Sequence, residues 1–362
     1  MIRTNTDLVM LLPGIMGGGA ERVSLNLAKY LSRRGFVLTI ICFNSRPVYL
    51  PDLDIEVLFL EKNGFLRNVF KFLLIINKIK PRFIFSTFSY VNIILILLQP
   101  FLLPKIICRE ANLHRESDVK GWKNRAIYRL LFLYNFSDIL LCSSHFMKKY
   151  FIRKHGVRER KIMVWRNPVD IESLRGLAAM PFSDRRILTG LGNSFSRQFV
   201  AIGRLEPQKN FEQLIDWFVG GSRPNDTLLI VGSGSQMAPL EARINALAVG
   251  CRIKLCGEQK NPYAIINESD ALLLPSLWEG MPNVALEAIA LGVPVLAMQT
   301  AGAISELASE CQLIVVARDA SDFVTKLVSL DWGSMRSPID QLPSEYRLAN
   351  SGEVFAQLIA QS

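Results

Sequence analysis

The stretch that decides the fold lies in the second half of the chain. Residues 271–297 read ALLLPSLWEGMPNVALEAIALGVPVLA. An apolar run ends at Leu274, a Glu-Gly loop follows, a helix-like segment begins near Pro282, and a second apolar run starts at Val293. Short apolar runs joined by a helix are typical of strand-helix-strand units in parallel sheets. We predict that Pro282 lies in the first turn of the helix, where proline is tolerated.

The same alternation extends through the whole chain and predicts two doubly wound parallel sheets. A chain of 362 residues also favours two domains, because single cores stop growing at roughly 250–300 residues. The fold class is therefore α/β, with two Rossmann-like domains. The predicted strands are Asp7–Leu12, Val37–Phe43, Ile55–Phe59, Phe83–Thr87, Lys105–Arg109, Ile139–Ser143 and Ile162–Trp165 in the first half, and Phe199–Gly203, Thr227–Val231, Arg252–Cys256, Ala271–Leu274, Val293–Ala297 and Leu313–Val316 in the second.

The domain boundaries follow from changes in this pattern. The stretch Arg175–Arg197 is weakly periodic and contains Gly, Ser and Pro, as expected of a linker. Ligands bind at the carboxyl ends of the strands in open α/β sheets, so we expect a site in a cleft between the domains. The predicted segments are a first domain 1–175, a linker 176–197, a second domain 198–340 and a C-terminal segment 341–362 with a helix around Gly352–Ala360.

Two carboxylates stand out in the deciding stretch. Glu279 lies in the predicted loop and Glu287 lies on the predicted helix. Sugar and ribose hydroxyls are hydrogen-bond donors, and one carboxylate can accept two of them. The free N–H groups near Gly280–Asn283 would face the same ligand. This pattern predicts a site for a ligand that is rich in hydroxyl groups.

A basic loop follows the first predicted strand of the second domain. Arg204 and Lys209 lie in this loop. Arginine holds phosphate oxygens with a planar fork and lysine acts as a point charge, so the two cations can bind a diphosphate.

Glycine-rich loops follow two other strands. Gly17, Gly18 and Gly19 precede a predicted helix Val23–Leu31, whose free N–H groups would face an anion. The spacing does not match the dinucleotide fingerprint GxGxxG. Gly232 and Gly234 close another strand, and the sequence leaves open whether they contact a ligand or form a structural turn.

Together these motifs resemble those of the retaining GT-B glycosyltransferases of family four. Members carry two glutamates separated by seven residues within a string like Pro-Ser-x-x-Glu-Gly-Met-Pro, as Glu279 and Glu287 are here. They also carry a Gly-Arg-Leu…Gln-Lys-Asn loop, matched by Gly203–Leu205 and Gln208–Asn210, and a Gly-Gly-x-Glu-Arg loop, matched by Gly18–Arg22. The resemblance covers nearly the whole chain and implies the GT-B fold, in which the terminal helix Gly352–Ala360 would cross back to the first domain.

The resemblance also implies roles for the matched residues. Arg204 and Lys209 would bind the donor diphosphate, Glu279 would bind the donor sugar, and Glu287 would bind the ribose. Arg204, Lys209 and Glu279 form the predicted catalytic set, because the cations would stabilise charge on the leaving diphosphate. The other predicted donor-binding residues are Gly18, Gly19, Gly203, Gly232, Gly234, Gly280, Met281, Pro282 and Asn283.

One departure concerns the first domain. Many relatives place a histidine near the sugar, after a first-domain strand. Here the strand Lys105–Arg109 is followed by Glu110, Asn112 and His114. Each of the three is a candidate for the acceptor side, and the sequence does not choose among them.

The reaction implied is hexosyl transfer with retention, from a nucleotide sugar to a glycan or polyprenyl-diphosphate-linked acceptor, in bacterial surface polysaccharide assembly. Neither the base, the sugar nor the linkage is determined. No cofactor is expected beyond the nucleotide sugar as co-substrate. No metal is expected either: Asp52 and Asp54 form a DxD string, but turn acids are ordinary before a strand. The alternatives are a nucleotide-sugar epimerase and a non-catalytic nucleotide- or polysaccharide-binding protein of the same architecture.

Charge is distributed unevenly along the chain. Residues 1–170 contain 27 Lys and Arg against 12 Asp and Glu, whereas residues 171–362 contain 15 against 20. A basic first half suits an anionic membrane surface or a phosphorylated acceptor, and we see no nucleic-acid recognition module. The segments Phe65–Lys80 and Trp122–Arg129 mix basic with apolar residues, as interfacial helices do, although helices packed on their own sheet remain an alternative.

The same features predict where the protein acts. The first residues lack the pattern of a signal peptide, and the six cysteines form no CxxC pair. The apolar stretch Val91–Leu103 is shorter than the roughly 18 residues of a membrane span, so we favour a buried helix over an interfacial one. We expect a cytoplasmic protein attached peripherally to the inner face of the plasma membrane.

Overall fold

The chain folds into two units. The computed structural model describes residues 6–15, 18–43, 55–60, 64–113, 121–181, 197–250 and 252–361, apart from the side chains of residues 65, 66 and 123. The first unit comprises Met1–Pro168 and Glu345–Ser362, and the second comprises Val169–Ser344. The chain therefore leaves the first unit once and returns to it near its end.

The first unit is built on a parallel sheet with the strand order β3-β2-β1-β4-β5-β6-β7. Its described strands are β1 (Leu8–Leu12), β2 (Leu38–Cys42), β3 (Glu56–Phe59), β4 (Phe83–Ser86), β5 (Lys105–Glu110), β6 (Ile139–Cys142) and β7 (Ile162–Val164). The helices are α1 (Gly19–Arg33), α2 (Phe65–Ile79), α3 (Ser89–Leu98), α4 (Trp122–Leu130) and α5 (His145–His155), with 3-10 helices at Gln99–Phe101, Leu131–Phe136 and Glu159–Lys161.

The second unit is built on a parallel sheet with the order β10-β9-β8-β11-β12-β13. Its described strands are β8 (Gln198–Ile202), β9 (Thr227–Val231), β10 (Ile253–Leu255), β11 (Ala271–Leu274), β12 (Val295–Met298) and β13 (Ile314–Ala317). Its helices are α6 (Ile171–Ala178), α7 (Phe211–Gly221), α8 (Met237–Ala246), α9 (Pro262–Glu268), α10 (Asn283–Ala290), α11 (Ile304–Glu310), α12 (Ala320–Ser329) and α13 (Trp332–Met335), with 3-10 helices at Pro207–Lys209 and Ser344–Tyr346. The last helix, α14 (Leu348–Ala360), belongs to the first unit.

Continuous apolar strands produce this architecture. All five residues of β1 are buried, as are all five of β9. Parallel strands covered by helices on both faces read as unbroken apolar runs, which is why the predicted strands all form within two residues of their predicted ends. The prediction of two doubly wound α/β sheets is confirmed.

Helices cover both faces of the first sheet. One face packs against α1 and α14, with Phe355 of α14 in edge contact with Phe85 of β4. The other face packs against α2, α3, the Leu131–Phe136 helix and α5. Residues far apart in sequence therefore share one core.

Three local predictions differ from the structure. The predicted linker 176–197 begins inside α6, whose Leu177 carbonyl accepts a hydrogen bond of 2.7 Å from Asn261 of the second unit. Residues 182–196 of that linker lie outside the described residues. The strand predicted from Val293 begins at Val295, because Pro294 has no N–H to donate. Pro282 lies just before α10 rather than in its first turn.

Candidate functional site

The carboxyl edge of the second sheet brings together two predicted site residues. Lys209 ends the 3-10 helix that follows β8, and Glu279 lies in the loop that follows β11. The Lys209 ammonium donates a hydrogen bond to Oε1 of the Glu279 carboxylate, and both side chains are largely buried. The cation predicted to bind phosphate and the acid predicted to bind sugar therefore form one ion pair.

Gly203 makes room for this ion pair. A Cβ atom at Gly203 would lie 2.9 Å from Cε and 3.2 Å from Cδ of Lys209. The lysine stem therefore passes directly over the glycine on its way to Glu279. A larger residue at this position would displace the stem, so Gly203 positions the ammonium group.

Hydrogen bonds join the two loops that carry the ion pair. Leu277 N–H donates to the Gln208 carbonyl over 2.9 Å, and Gln208 Nε2 donates to the Trp278 carbonyl over 2.7 Å. Asn210 Nδ2 also donates to the Pro275 carbonyl over 3.3 Å. These contacts join the residues on either side of Lys209 to the residues just before Glu279, so one backbone bond and two side-chain bonds fix the separation of the pair.

The other predicted donor-site residues lie around the same edge. Arg204 is exposed. The pKa of the neighbouring Glu206 carboxyl is lowered, first by the hydrogen bond from the Ser235 hydroxyl, then by the bond from the Ser235 N–H, and last by the charge of Arg204. Glu287 is buried on α10. Met281 and Pro282 are buried, whereas Asn283 is half-buried at the first position of α10.

Gly232 and Gly234 follow β9 and pack against the basic loop. Gly232 has a φ of 144°, and a Cβ there would lie only 1.9 Å from the Gly203 carbonyl oxygen. A Cβ at Gly234 would lie 2.5 Å from the Leu205 carbonyl oxygen. Both glycines therefore have a structural role in this loop, and their contact with a ligand stays a prediction.

A loop that the sequence motifs did not indicate supports Glu279 from the other side. This brace loop, residues 300–303, follows β12. Its Thr300 hydroxyl donates to the Ser276 carbonyl over 2.8 Å, and Ala303 N–H donates to the Gly280 carbonyl over 3.0 Å. Gly302 has a φ of 69°, and a Cβ there would lie 2.0 Å from the Glu279 carbonyl oxygen. The signal in the sequence was a Thr-Ala-Gly run three residues after the end of the predicted strand Val293–Ala297.

In the first unit, the glycine loop leads into α1 earlier than predicted. The helix begins at Gly19 rather than Val23, and Gly18 caps it. Gly18 N–H donates to the Glu21 carboxylate over 3.1 Å, and Glu21 is buried. The expectation of wholly free N–H groups at this helix end is therefore corrected: one of them is bonded to an acid of the same helix turn.

Glu110 is the last residue of β5 and is buried in a polar network. It accepts hydrogen bonds from the Tyr134 hydroxyl and, over 3.0 Å, from the Ser89 hydroxyl. Burial, followed by the charge of Glu110, raises the pKa of Tyr134 well above its usual value. Asn92 completes the network by donating to the Tyr134 oxygen over 3.1 Å.

Arg109 was not predicted as a site residue, but it is the most buried cation of the described first unit. Its guanidinium donates to the Thr87 hydroxyl over 2.5 Å and to the Asn167 side chain over 2.7 Å. Burial lowers its pKa to about 10. The arginine thereby ties together the carboxyl ends of β4, β5 and β7.

The remaining candidates have separate outcomes. Asn112 Oδ1 accepts a hydrogen bond from the adjacent Leu113 N–H over 2.9 Å. His114, Asp52 and Asp54 lie outside the described residues. In the part of the chain that the structure describes, no group of three His, Cys, Asp or Glu side chains is arranged to hold a metal. Metal independence stays a prediction.

Comparisons with known proteins show which family the chain belongs to. A family model described as Glycosyltransferase Family 4 matches residues 17–173, and one described as Glycosyl transferases group 1 matches residues 196–330. The crystal structure of Anabaena Alr3699/HepE in complex with UDP and glucose superposes with a TM-score of 0.80 at 17% identity, covering 99% of this chain and all of that one.

Two curated relatives are also similar. The uncharacterized glycosyltransferase MJ1059 of Methanocaldococcus jannaschii is 29% identical over 64% of this chain and 59% of its own length. The UDP-Gal:alpha-D-GlcNAc-diphosphoundecaprenol alpha-1,3-galactosyltransferase of Escherichia coli is 30% identical over 52% of this chain and 50% of its own length. The matched regions thus span between half and three fifths of these relatives. With its GT-B fold and its matches in both units, the chain belongs to the family-four, group 1 glycosyltransferases.

Proposed function

We propose that the protein transfers a hexosyl group from a nucleoside-diphosphate sugar to a glycan or lipid-linked acceptor, with retention of configuration. The observation that carries this proposal is the buried Lys209–Glu279 pair on adjacent loops at the carboxyl edge of the second sheet. An ammonium has three donors, so its bond to Glu279 leaves others for phosphate oxygens. The Glu279 carboxylate can accept further hydrogen bonds from sugar hydroxyls.

The leaving group determines the chemistry that the site must supply. The bond from the anomeric carbon to the diphosphate oxygen breaks, and negative charge grows on the diphosphate. Lys209 and Arg204 stabilise that charge more strongly in the transition state than in the bound donor, which lowers the barrier. Glu287 on α10 binds the ribose of the leaving nucleotide, and Gly18 and Gly19 are proposed as further donor-binding residues.

Turnover tests this function. A panel of nucleotide sugars is first screened by thermal shift, and the stabilising donor is incubated with and without candidate acceptors. We expect nucleoside diphosphate to form only when the acceptor is present, and NMR of the product to show the donor's anomeric configuration. Conversion of the donor sugar without an acceptor would favour an epimerase, and saturable binding without turnover would favour a binding protein.

The proposed reaction needs no metal, because cationic side chains neutralise the charge of the diphosphate in place of a metal ion. Activity should therefore persist after treatment with a chelator. Loss of activity on chelation, restored by magnesium or manganese, would contradict this and direct attention to Asp52 and Asp54.

The acceptor that we propose is linked to a polyprenyl diphosphate, which places the protein on the inner face of the plasma membrane and in surface polysaccharide assembly. The Escherichia coli relative supports this, since its name includes a diphosphoundecaprenol acceptor. None of the described helices has both the length and the apolar character that a membrane span requires. Attachment would therefore be peripheral.

The outer side of α2 fits such attachment. Arg67, Phe70, Leu74 and Lys78 are exposed at helical spacing, whereas Phe72 on the opposite side is buried. Apolar side chains between basic ones suit an anionic interface, where each basic residue near the lipid contributes about 1 kcal/mol. Binding to anionic vesicles should weaken with salt, with Lys71, Lys78, Lys123 and Arg125 contributing. Equal binding to neutral and anionic vesicles would remove the membrane proposal and leave the transferase proposal intact.

A further inference from the structure

Three large apolar side chains are exposed where α3 ends. Leu97 lies in the last turn of α3, Phe101 ends the following 3-10 helix, and Leu103 lies just before β5. Their exposed fractions are 58%, 71% and 93%. Earlier in the same helix, Val91 and Leu95 are fully buried. The apolar sequence therefore continues beyond the point where the core can cover it.

These three residues, which we call the α3 ridge, are held on a rigid turn. Pro100 lies within the 3-10 helix Gln99–Phe101, and Pro104 is buried directly after Leu103. Proline fixes its own backbone and restricts the residue before it. Little conformational entropy would therefore be lost when the ridge meets a partner, and the exposed side chains cannot easily fold back onto the protein.

Basic residues predominate in the chain segment that contains the ridge. Residues 64–109 contain seven Lys and Arg and no Asp or Glu. Lys105, two positions after the ridge, is exposed. The neighbouring acid Asp138 accepts a hydrogen bond of 2.7 Å from Ile106 N–H and so holds the backbone at the start of β5. An apolar projection beside exposed basic residues such as Lys105 is complementary to a layer with anionic headgroups and an apolar interior.

We infer that the α3 ridge inserts into the acyl region of an anionic bilayer. This inference rests on the proposed membrane attachment and gives it a second, apolar component. The basic helices α2 and α4 would draw the protein to the headgroups, and the ridge would hold it there when salt screens those charges. At ten residues α3 is too short to cross the bilayer, so insertion is limited to one leaflet.

Vesicle partition at high salt tests the inference. The triple variant Leu97→Ser, Phe101→Ser, Leu103→Ser is compared with the native protein on anionic vesicles at low and high salt. The native protein should keep a salt-resistant bound fraction, and the triple variant should lose at least about tenfold in partition at high salt, because buried apolar groups dominate there. The control Ile339→Ser changes a similarly exposed apolar residue of the second unit and should bind like the native protein.

Three further measurements support the vesicle experiment: transfer activity, quenching of tryptophan fluorescence by lipids, and the oligomeric state in solution. Transfer to a water-soluble acceptor analogue should be the same in the native protein and the triple variant, so that loss of binding is not mistaken for loss of the transferase. The variant Phe101→Trp should show extra fluorescence that brominated lipids quench, whereas the extra fluorescence of Ile339→Trp should not be quenched. Unchanged partition of the triple variant at high salt, or a dimer of the native protein in solution that the triple variant cannot form, would overturn the inference.

Discussion

The donor loops of the second unit and the carboxyl edge of the first sheet are built in different ways. In the second unit, Lys209 and Glu279 lie on short loops that are joined through backbone carbonyls, which accept from the Leu277 N–H and from the Gln208 side chain. In the first unit, Glu110 and Arg109 are placed by side chains from distant segments, such as Tyr134 and Asn167. A bond to a backbone carbonyl depends on the identity of the donor alone, and closely packed glycines are needed beside it, whereas a network of side chains depends on the identity of every member.

The largest loss of turnover is expected when a cation of the donor loops in the second unit is removed. Lys209→Ala and Arg204→Ala should each lower turnover by roughly 10²–10³, as loss of one preorganised charge does. Thermal unfolding should change little for Arg204→Ala, because Arg204 is exposed. Near-native turnover of either variant at saturating donor would show that the cation in question does not serve the leaving group.

The brace loop offers a second test, in which no catalytic side chain is changed. Gly302→Ala should lower turnover by about 10–10²-fold, because the added Cβ displaces the backbone of Glu279. It should also destabilise the fold by about 1–3 kcal/mol, since alanine is strained at this φ.

The matched control for the brace loop is Gly220→Ala in α7, where an added Cβ meets no atom within 4 Å. This variant should keep full turnover and gain about 0.5–1 kcal/mol of stability. Full turnover of Gly302→Ala would mean that the loop does not position Glu279.

The first unit should respond differently. Glu110→Gln keeps the shape of the side chain but weakens its bonds to Tyr134 and Ser89, so the free energy of unfolding should fall by about 1 kcal/mol. The KM for the donor should not change. Glu159→Gln serves as the control in denaturant unfolding: Glu159 is an exposed acid of the same unit whose ion pair with Lys148, at 2.9 Å, lies at the surface and contributes little to stability. A large rise in the acceptor KM without loss of stability would instead place Glu110 against the acceptor.

The smallest change in stability is expected from Glu206, which lies in the basic loop between Arg204 and Lys209. Ser235→Ala removes the hydroxyl that lowers the Glu206 pKa, so NMR titration should show this pKa rising toward its ordinary value. A carboxyl whose pKa is lower in the folded state than in the unfolded state stabilises the fold at pH values above the unfolded-state pKa. This stabilisation is lost as the pH falls through the folded-state pKa. The variant should therefore be less stable than native by under about 1 kcal/mol at neutral pH, with the difference vanishing in acid. A difference that persists at low pH would point to lost packing instead.

The sequence predicted the strands well because buried parallel strands are continuous apolar runs. It also predicted that Glu279 and the basic loop follow strands of one sheet, but it did not predict the ion pair between Lys209 and Glu279. It did not predict α6, because this helix has only eight residues, contains Gly176, and overlaps the stretch assigned to the linker. Nor did it find the network of Ser89, Glu110 and Tyr134, because only the tertiary fold brings such separate positions together.

The return of the chain to the first unit has a consequence for synthesis on the ribosome. Phe355, Ala356 and Ile359 of α14 are part of the core that covers one face of the first sheet. Gly352 of the same helix lies against the Tyr30 ring of α1, where a Cβ would come within 2.5 Å. The first unit therefore lacks part of its core until residues 345–360 have been translated, although most of it is made first. The second unit, which is continuous in sequence, can complete its fold during that interval.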